Sequence, residues 1–200
     1  MRKNLWYKAL LLVSILFALS DSVALVAQIR PGSVKDADGN VYRTVTVGDQ
    51  VWMAENLRTT KLNDGTAITN EVDMTKWVQV TTPAFCWVNN DEKTKNEYGG
   101  MYNWHAVNTG KLCPAGWRVG TDEDWTRLTD YLGGVQVAGG KLKEKGTARW
   151  KDPNTGATDE TGFCAVPAGY RYGYFWAQGT FYEMGLNGYY WTGTVCTDTH

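Results

Sequence analysis

The stretch 112–132, LCPAGWRVGTDEDWTRLTDYL, limits what this chain can fold into more than any other. It is the one segment with a clear helical pattern in a sequence that otherwise reads as short strands and turns. Thr121, with Asp124 three residues on, forms a capping-box pattern in which each side chain reaches the other's backbone N–H. Asp122, Glu123 and Asp124 place negative charge on the first turn, where the helix dipole favours it. Trp125, Leu128 and Leu132 recur at i, i+3 and i+7, one apolar stripe facing a core. Gly133 and Gly134 predict the end. So short a helix is marginal alone and must be held against the Trp- and Tyr-rich strands around it. The cap also accounts for the three acids. A glycosidase needs two carboxylates facing each other across a bond, roughly 5–9 Å apart, and three neighbours on one turn do not supply that.

Elsewhere the pattern is β. Val41–Val47 (VYRTVTV) alternates and is β-branched, and 50–54 returns after the Gly48-Asp49 turn as the second arm of a hairpin. The run 84–88 reads as a short apolar strand. The stretches 74–80 and 98–107 fit a helix or a strand equally. A polar loop is expected over 89–97, a glycine-rich loop over 133–140 and a long turn region over 150–162. Strands are predicted at 163–166, at 169–176 paired with 180–186, and at 189–195. No repeat of 20–50 residues is present. Short strands with one or two short helices and many loops make an α+β fold, not a βαβ series.

The N-terminus reads as a targeting segment. Arg2 and Lys3 precede an apolar run over 5–19, and small residues offer cleavage after Ala24 or Ala27. The run is short for a membrane span, and Asp21 interrupts it. The expected organisation is a signal peptide over 1–27, a linker over 28–33 and a single domain over 34–200, exported and without a membrane span after cleavage. No cysteine precedes Cys86, which excludes a lipid anchor at the cleavage site. In an oxidising compartment Cys86, Cys113, Cys164 and Cys196 are disulfide candidates, and their spacing leaves all three connectivities open. The absence of any C-x-x-C motif argues against a thioredoxin-type or zinc site. A formal net charge of −1 gives no footprint for nucleic acid or an anionic membrane.

Ten Trp and eleven Tyr are the unusual feature of the composition. In 169–176 (GYRYGYFW), strand alternation places Tyr170, Tyr172 and Tyr174 on one face, with Arg171, Gly173 and Phe175 on the other. Together with Tyr190 and Trp191 these rings are the candidate ligand-binding residues, a platform for a sugar chain or a partner surface. The competing expectation is that they bury one another across strands. Asp36, Asp38 and Asn40, and Asn90 and Asp91, are oxygen-rich turns of the kind calcium uses, without EF-hand spacing; calcium is therefore the one candidate cofactor, and plain turns are the alternative. His105 and the terminal His200 are the two histidines. They are too few for a zinc site beside bridged cysteines, and a catalytic device would have to run through His105.

Several segments together resemble a known family. They are Asp38-Gly39-Asn40-Val41-Tyr42, Gln50-Val51-Trp52-Met53-Ala54-Glu55-Asn56-Leu57, Tyr98-Gly99-Gly100-Met101-Tyr102-Asn103-Trp104 and Leu112-Cys113-Pro114-Ala115-Gly116-Trp117. Ala138-Gly139-Gly140-Lys141-Leu142-Lys143 and Thr161-Gly162-Phe163, followed by Pro167-Ala168-Gly169-Tyr170-Arg171, complete the set. In this order over roughly 34–195 they resemble the Fibrobacter succinogenes major paralogous domain, a family of exported bacterial domains with no established activity. The Cys-Pro-x-Gly-Trp pattern is similar to C-type-lectin-like and formylglycine-generating-enzyme-like domains, which implies small twisted antiparallel sheets with short helices. By that resemblance the family continues past a Tyr-Trp-Thr segment, here Tyr190-Trp191-Thr192, into further strands and a late Arg-Cys. The chain ending at His200 thus reads as truncated or replaced at its C-terminus, and Cys196 or Cys164 would substitute as the partner of Cys113. The resulting expectation is a secreted or cell-surface bacterial binding module without catalysis, recognising polysaccharide or a surface protein. A structural or adhesive module is the first alternative, and a cysteine-dependent oxidase the second.

Overall fold

A computed structural model describes residues 32–173 and 179–195. The expected signal peptide lies outside them, as do Tyr174, Cys196 and His200. The chain forms an α+β domain of three small sheets and five short helices among these residues. The first sheet is antiparallel, with β1 (Ser33–Lys35), β2 (Val41–Val47) and β3 (Gln50–Met53) in that order. Tyr42 and Thr44 of β2 are buried, as alternation requires, while Val47, on the opposite face, is buried in the core around Leu128. Tyr42 is fully buried: its hydroxyl donates to Asp36 Oδ2 and accepts the backbone N–H of Arg58.

The second sheet sets β5 (Ala84–Trp87) between β4 (Thr69–Asn70), parallel to it, and β6 (Gly100–Tyr102), antiparallel. All four residues of β5 are buried, so a continuous apolar run forms the strand. The stretch that fitted either helix or strand at 74–80 is α1 (Met74–Gln79), because the Asp73 carboxylate accepts the N–H of Lys76 and caps it. The region 89–97 is less loop-like than expected. It folds into two 3₁₀ turns, Val88–Asn90 and Glu92–Thr94, and runs into α2 (Lys95–Tyr98). The stretch 98–107 divides into β6 and α3 (Trp104–Val107), with Asn103 capping α3 at the division. Leu62, Ile68, Phe85, Trp87, Tyr102 and Leu112 pack into one core beneath this sheet.

The capped helix is α4 (Asp122–Tyr131), and both halves of its capping box are formed. It is followed at once by α5 (Val135–Leu142), where a glycine-rich loop was expected. Gly133 and Gly134 do break the chain, at φ of 97° and 99°. Gly139 and Gly140, however, lie inside α5. A Cβ on Gly140 would stand 2.4 Å from the carbonyl oxygen of Gly156, so glycine is needed there for close approach rather than for a turn. Leu128, Leu132, Ala138, Leu142 and Phe163 form the second core, with Trp52 and Trp125 packed against it.

Among the described residues the last sheet is shorter than its aromatic sequence predicts. β7 (Tyr170–Arg171) pairs antiparallel with β8 (Phe181–Tyr182). The run 163–166 makes a single bridge, Ala165 to Lys143, and Pro167, which has no N–H to donate, follows it. Residues 189–195 form no strand. Their backbone is held instead at Gly188, bridged to Gly169, and at Gly193, whose N–H donates to Gly120. The aromatics there meet partners in separate parts of the molecule, and β propensity measures packing on a shared pleat, which this segment lacks.

Candidate functional site

Tyr170 stands opposite Tyr182 in the register of β7 and β8. Their rings stack with centroids 5.7 Å apart. Tyr172 lies 5.9 Å from Tyr170 and 5.9 Å from Tyr182, so the alternation expected for Tyr170 and Tyr172 holds. Tyr189 meets Tyr170 edge-on at 4.9 Å. Its hydroxyl donates to the Glu183 carboxylate, which also accepts from Asn187 Nδ2. These two bonds hold the Glu183 carboxyl below its ordinary range. Tyr182 and Tyr189 remain 42% and 54% exposed, so the cluster is packed within itself yet open to solvent. Contiguous exposed rings of this kind mark interaction surfaces.

Tyr190 and Trp191 are neighbours in sequence with different partners. The Tyr190 ring lies 5.6 Å from Trp125 and 6.0 Å from Phe163. The Trp191 ring lies 5.8 Å from Trp104, and its Nε1 donates to the Tyr102 carbonyl at 2.7 Å. Tyr190 keeps 40% of its surface and Trp191 47%, while burial of the Tyr190 hydroxyl end pushes its pKa up.

This pair forms a wall common to two grooves. The first, about 550 Å³, runs beside α4 and is lined by Trp52, Trp117, Trp125 and Phe163. Trp52 and Trp125 are 4.7 Å apart. Its charged residues are neutralised in place: Arg118 pairs with Asp124, and Arg127 with Asp49. The Arg118 guanidinium holds the Asp124 carboxyl far below the ordinary carboxylate value. The second groove, about 570 Å³, is lined by Trp77, Tyr98, Tyr102, Tyr170, Arg171 and Tyr189 along with the shared wall. Arg171 is buried, with its guanidinium 4.5 Å from the Trp77 ring centre and 5.1 Å from that of Phe181.

The structure therefore brings Tyr170, Tyr190 and Trp191 together around one groove, with Tyr172 beside Tyr170. Sequence reasoning missed Tyr182, Tyr189, Trp52, Trp125 and Arg171. The Gly-Tyr-Tyr-Trp run at 188–191 was the available signal for Tyr189, whereas the others arrive by tertiary packing.

The calcium candidates make hydrogen bonds within the protein, some in their own turns and some to distant segments. Asp36 Oδ1 accepts the N–H groups of Asp38 and Asn40, and its Oδ2 accepts Asn40 Nδ2 at 2.8 Å. Asp38 accepts from Thr60 and pairs with Lys61 at 3.2 Å. Asn90 Nδ2 donates to the Val72 carbonyl, and Asp91 accepts the N–H of Lys93. Among the described residues no group of three or more His, Cys, Asp and Glu is placed to hold a metal ion. His105 is exposed on α3.

Cys86, Cys113 and Cys164 are free thiols, in contrast to the expected disulfides. Cys86 is fully buried in β5, packed with Trp77 and Ala84 in a small core of its own. Burial pushes Cys86 and Cys113 up to about 11, and raises Cys164 as well.

Fold and site together define a small α+β domain whose open surface is two ring-lined grooves meeting at one aromatic wall. The chain belongs to the family described as the Fibrobacter succinogenes major domain, whose sequence model matches residues 45–200. No curated protein and no solved structure matches the chain. Among the described residues no helix is long and apolar enough to cross a membrane.

Proposed function

We propose that this domain is an exported binding module for polysaccharide, and that the grooves joined at Tyr190 and Trp191 are its ligand face. The observation that carries this reading is the continuous run of half-open rings, from Tyr182, Tyr170 and Tyr189 to Tyr190 and Trp191, beside clefts of ligand size. Flat rings with a hydroxyl or indole N–H present an apolar face and a polar edge, the two features a sugar ring matches. The leader-like residues 1–27 support export, and the likeness to C-type lectins rests on Cys113-Pro114 with Gly116-Trp117.

A non-catalytic reading is supported by the thiols. An oxidase of the cysteine-dependent kind needs a thiolate, and burial drives Cys86, Cys113 and Cys164 away from that form. A protein-contact module is the second reading. It is favoured by a separate exposed patch of Tyr131, Val135 and Val137 where α4 meets α5.

The test is binding of the purified protein to plant and bacterial polysaccharides, with and without calcium, beside Trp191→Ala and Tyr170→Ala. Saturable binding that both variants weaken at least tenfold is the expected result. No binding to any glycan by the folded protein would sink this reading in favour of protein contact.

A further inference from the structure

Two charged residues flank the tyrosine cluster of β7 and β8, and they differ in access. Arg171 is closed off. Its guanidinium lies between the rings of Trp77 and Phe181 and donates to the backbone carbonyls of Gly179, Glu71 and Val72. Glu183, one residue past β8, is open. It is half-buried, and Tyr182, Leu186, Asn187 and Tyr189 around it are all exposed. Among the described residues no cation lies within ion-pair distance of its carboxylate, whose bonds are those to Tyr189 and Asn187.

The backbone holds this carboxylate in place at a cost. Glu183 has a φ of 60°, in the left-handed region that glycine and asparagine enter readily and a glutamate seldom does. Its carbonyl accepts the N–H groups of Leu186 and Asn187. Gly169 backs directly onto the bend: a Cβ there would stand 2.1 Å from the Tyr182 carbonyl oxygen and 2.7 Å from the Met184 nitrogen. A side chain held in this conformation costs on the order of 1–3 kcal/mol, and such positions cluster where ligands are gripped.

Both bonds to the carboxylate fall on one of its oxygens. The Tyr189 hydroxyl donates to Oε2, and so does Asn187 Nδ2, at 2.7 Å. A carboxylate accepts at both oxygens, so Oε1 keeps its accepting capacity. Among the described residues nothing donates to it. Tyr189, which fixes Oε2, lines the second groove. The carboxylate therefore stands at the rim of that groove, with the exposed rings of Tyr182 and Tyr189 beside it.

We propose that Glu183 is the hydroxyl acceptor of the second groove: a neutral sugar ring lies against Tyr189 and Tyr182, and one of its hydroxyls donates to Glu183 Oε1. This rests on the polysaccharide reading above and narrows it to neutral glycans. A hydrogen bond to an ionised acceptor is roughly twice as strong as one between neutral groups. The rings hold the apolar face of the sugar, and the carboxylate holds its polar edge. A uronate in the same place would set two like charges side by side, with Arg171 shut away behind its own rings.

The experiment titrates the full protein, without calcium, against a β-glucan, a mannan and a cellulose oligomer series. Each is compared with its C6-carboxylated form, and chitosan serves as a cationic probe. At least one neutral glycan should bind about tenfold more tightly than its carboxylated form, and raising the salt should narrow that gap. Glu183→Gln keeps an acceptor oxygen for Tyr189 and removes the charge. It should weaken the neutral glycan several-fold and close most of the gap, which a purely structural role would leave unchanged. Tyr189→Phe should weaken the neutral glycan and keep the gap. If Glu183→Gln fails to fold, the salt dependence of the gap on the unaltered protein decides. Equal binding of neutral and carboxylated forms, or an unchanged gap in Glu183→Gln, overturns the proposal while the polysaccharide reading stands. Binding of chitosan in place of every neutral glycan overturns it in favour of a cationic ligand. No binding of any kind sinks both.

Discussion

The two grooves are built from similar rings and differ in their charge. Beside α4, Arg118 and Arg127 each meet an aspartate, and the rings of Trp52 and Trp125 lean on the core of Leu128 and Phe163. Beside β7, the one arginine has carbonyls and rings but no carboxylate among the described residues, and the tyrosines lean chiefly on one another. The first groove is electrostatically complete as it stands. At the second, the Glu183 carboxylate meets no cation among the described residues and borders an open aromatic face. The contrast teaches that rings alone do not separate a core from a site, because tryptophans and tyrosines serve both; the state of the nearby charges does.

The sharpest way to break this comparison is at the core of the first groove. Leu128→Ala should cost about 2–5 kcal/mol in denaturant unfolding, since the side chain is fully buried beside Leu132 and Phe163. A loss under about 1 kcal/mol would show that the α4 side is not the structural half.

Gly140→Ala should come next. A central helix position ordinarily gains about 1 kcal/mol from this exchange. Here the new methyl would meet the Gly156 carbonyl, so a net loss of about 1–3 kcal/mol is expected. A gain in thermal stability would mean that α5 and the 150–162 turns can separate freely.

Tyr182→Ala probes the tyrosine cluster beside the second groove. Its ring is 42% exposed and stacked on Tyr170, so its removal should cost only about 0.5–1.5 kcal/mol of stability. Polysaccharide binding should nevertheless fall several-fold. Stability lost without binding lost would assign the tyrosines to structure after all.

The smallest effect is electrostatic. Arg118 holds the Asp124 carboxyl below its unfolded value of roughly 4. The depressed group therefore contributes its full stability above that pH, and the contribution is lost as pH falls towards the folded value. Because Arg118 is largely exposed, the expected amount is under about 1 kcal/mol. Asp124→Asn should flatten the acid limb of the stability profile below pH 4 by that amount. An unchanged slope would remove this pair from the account.

What was legible in the sequence was local. The capping box fixed the start of α4 because Thr121 and Asp124, three residues apart, bond each other's backbone N–H. Alternation placed Tyr170 and Tyr172 together because a strand repeats every two residues. α5 was hidden because glycine ordinarily punctuates, and the reason for Gly140 is a chain segment sixteen residues away. Arg171 was placed on the face opposite the tyrosines. Its burial and its lack of a carboxylate depend on Trp77, Phe181 and the carbonyls of Glu71 and Val72, which no local pattern brings near.

The placement of Tyr190 and Trp191 also bears on how such a domain can diversify. The segment is pinned at Gly188 to Gly169 and at Gly193 to Gly120. Between these anchors, adjacent side chains reach Trp125 on one side and Trp104 on the other. Inserting or deleting one residue there would exchange the two rings and spoil both grooves in a single step. In this span, therefore, the two grooves can change only by side-chain replacement and so share one evolutionary fate.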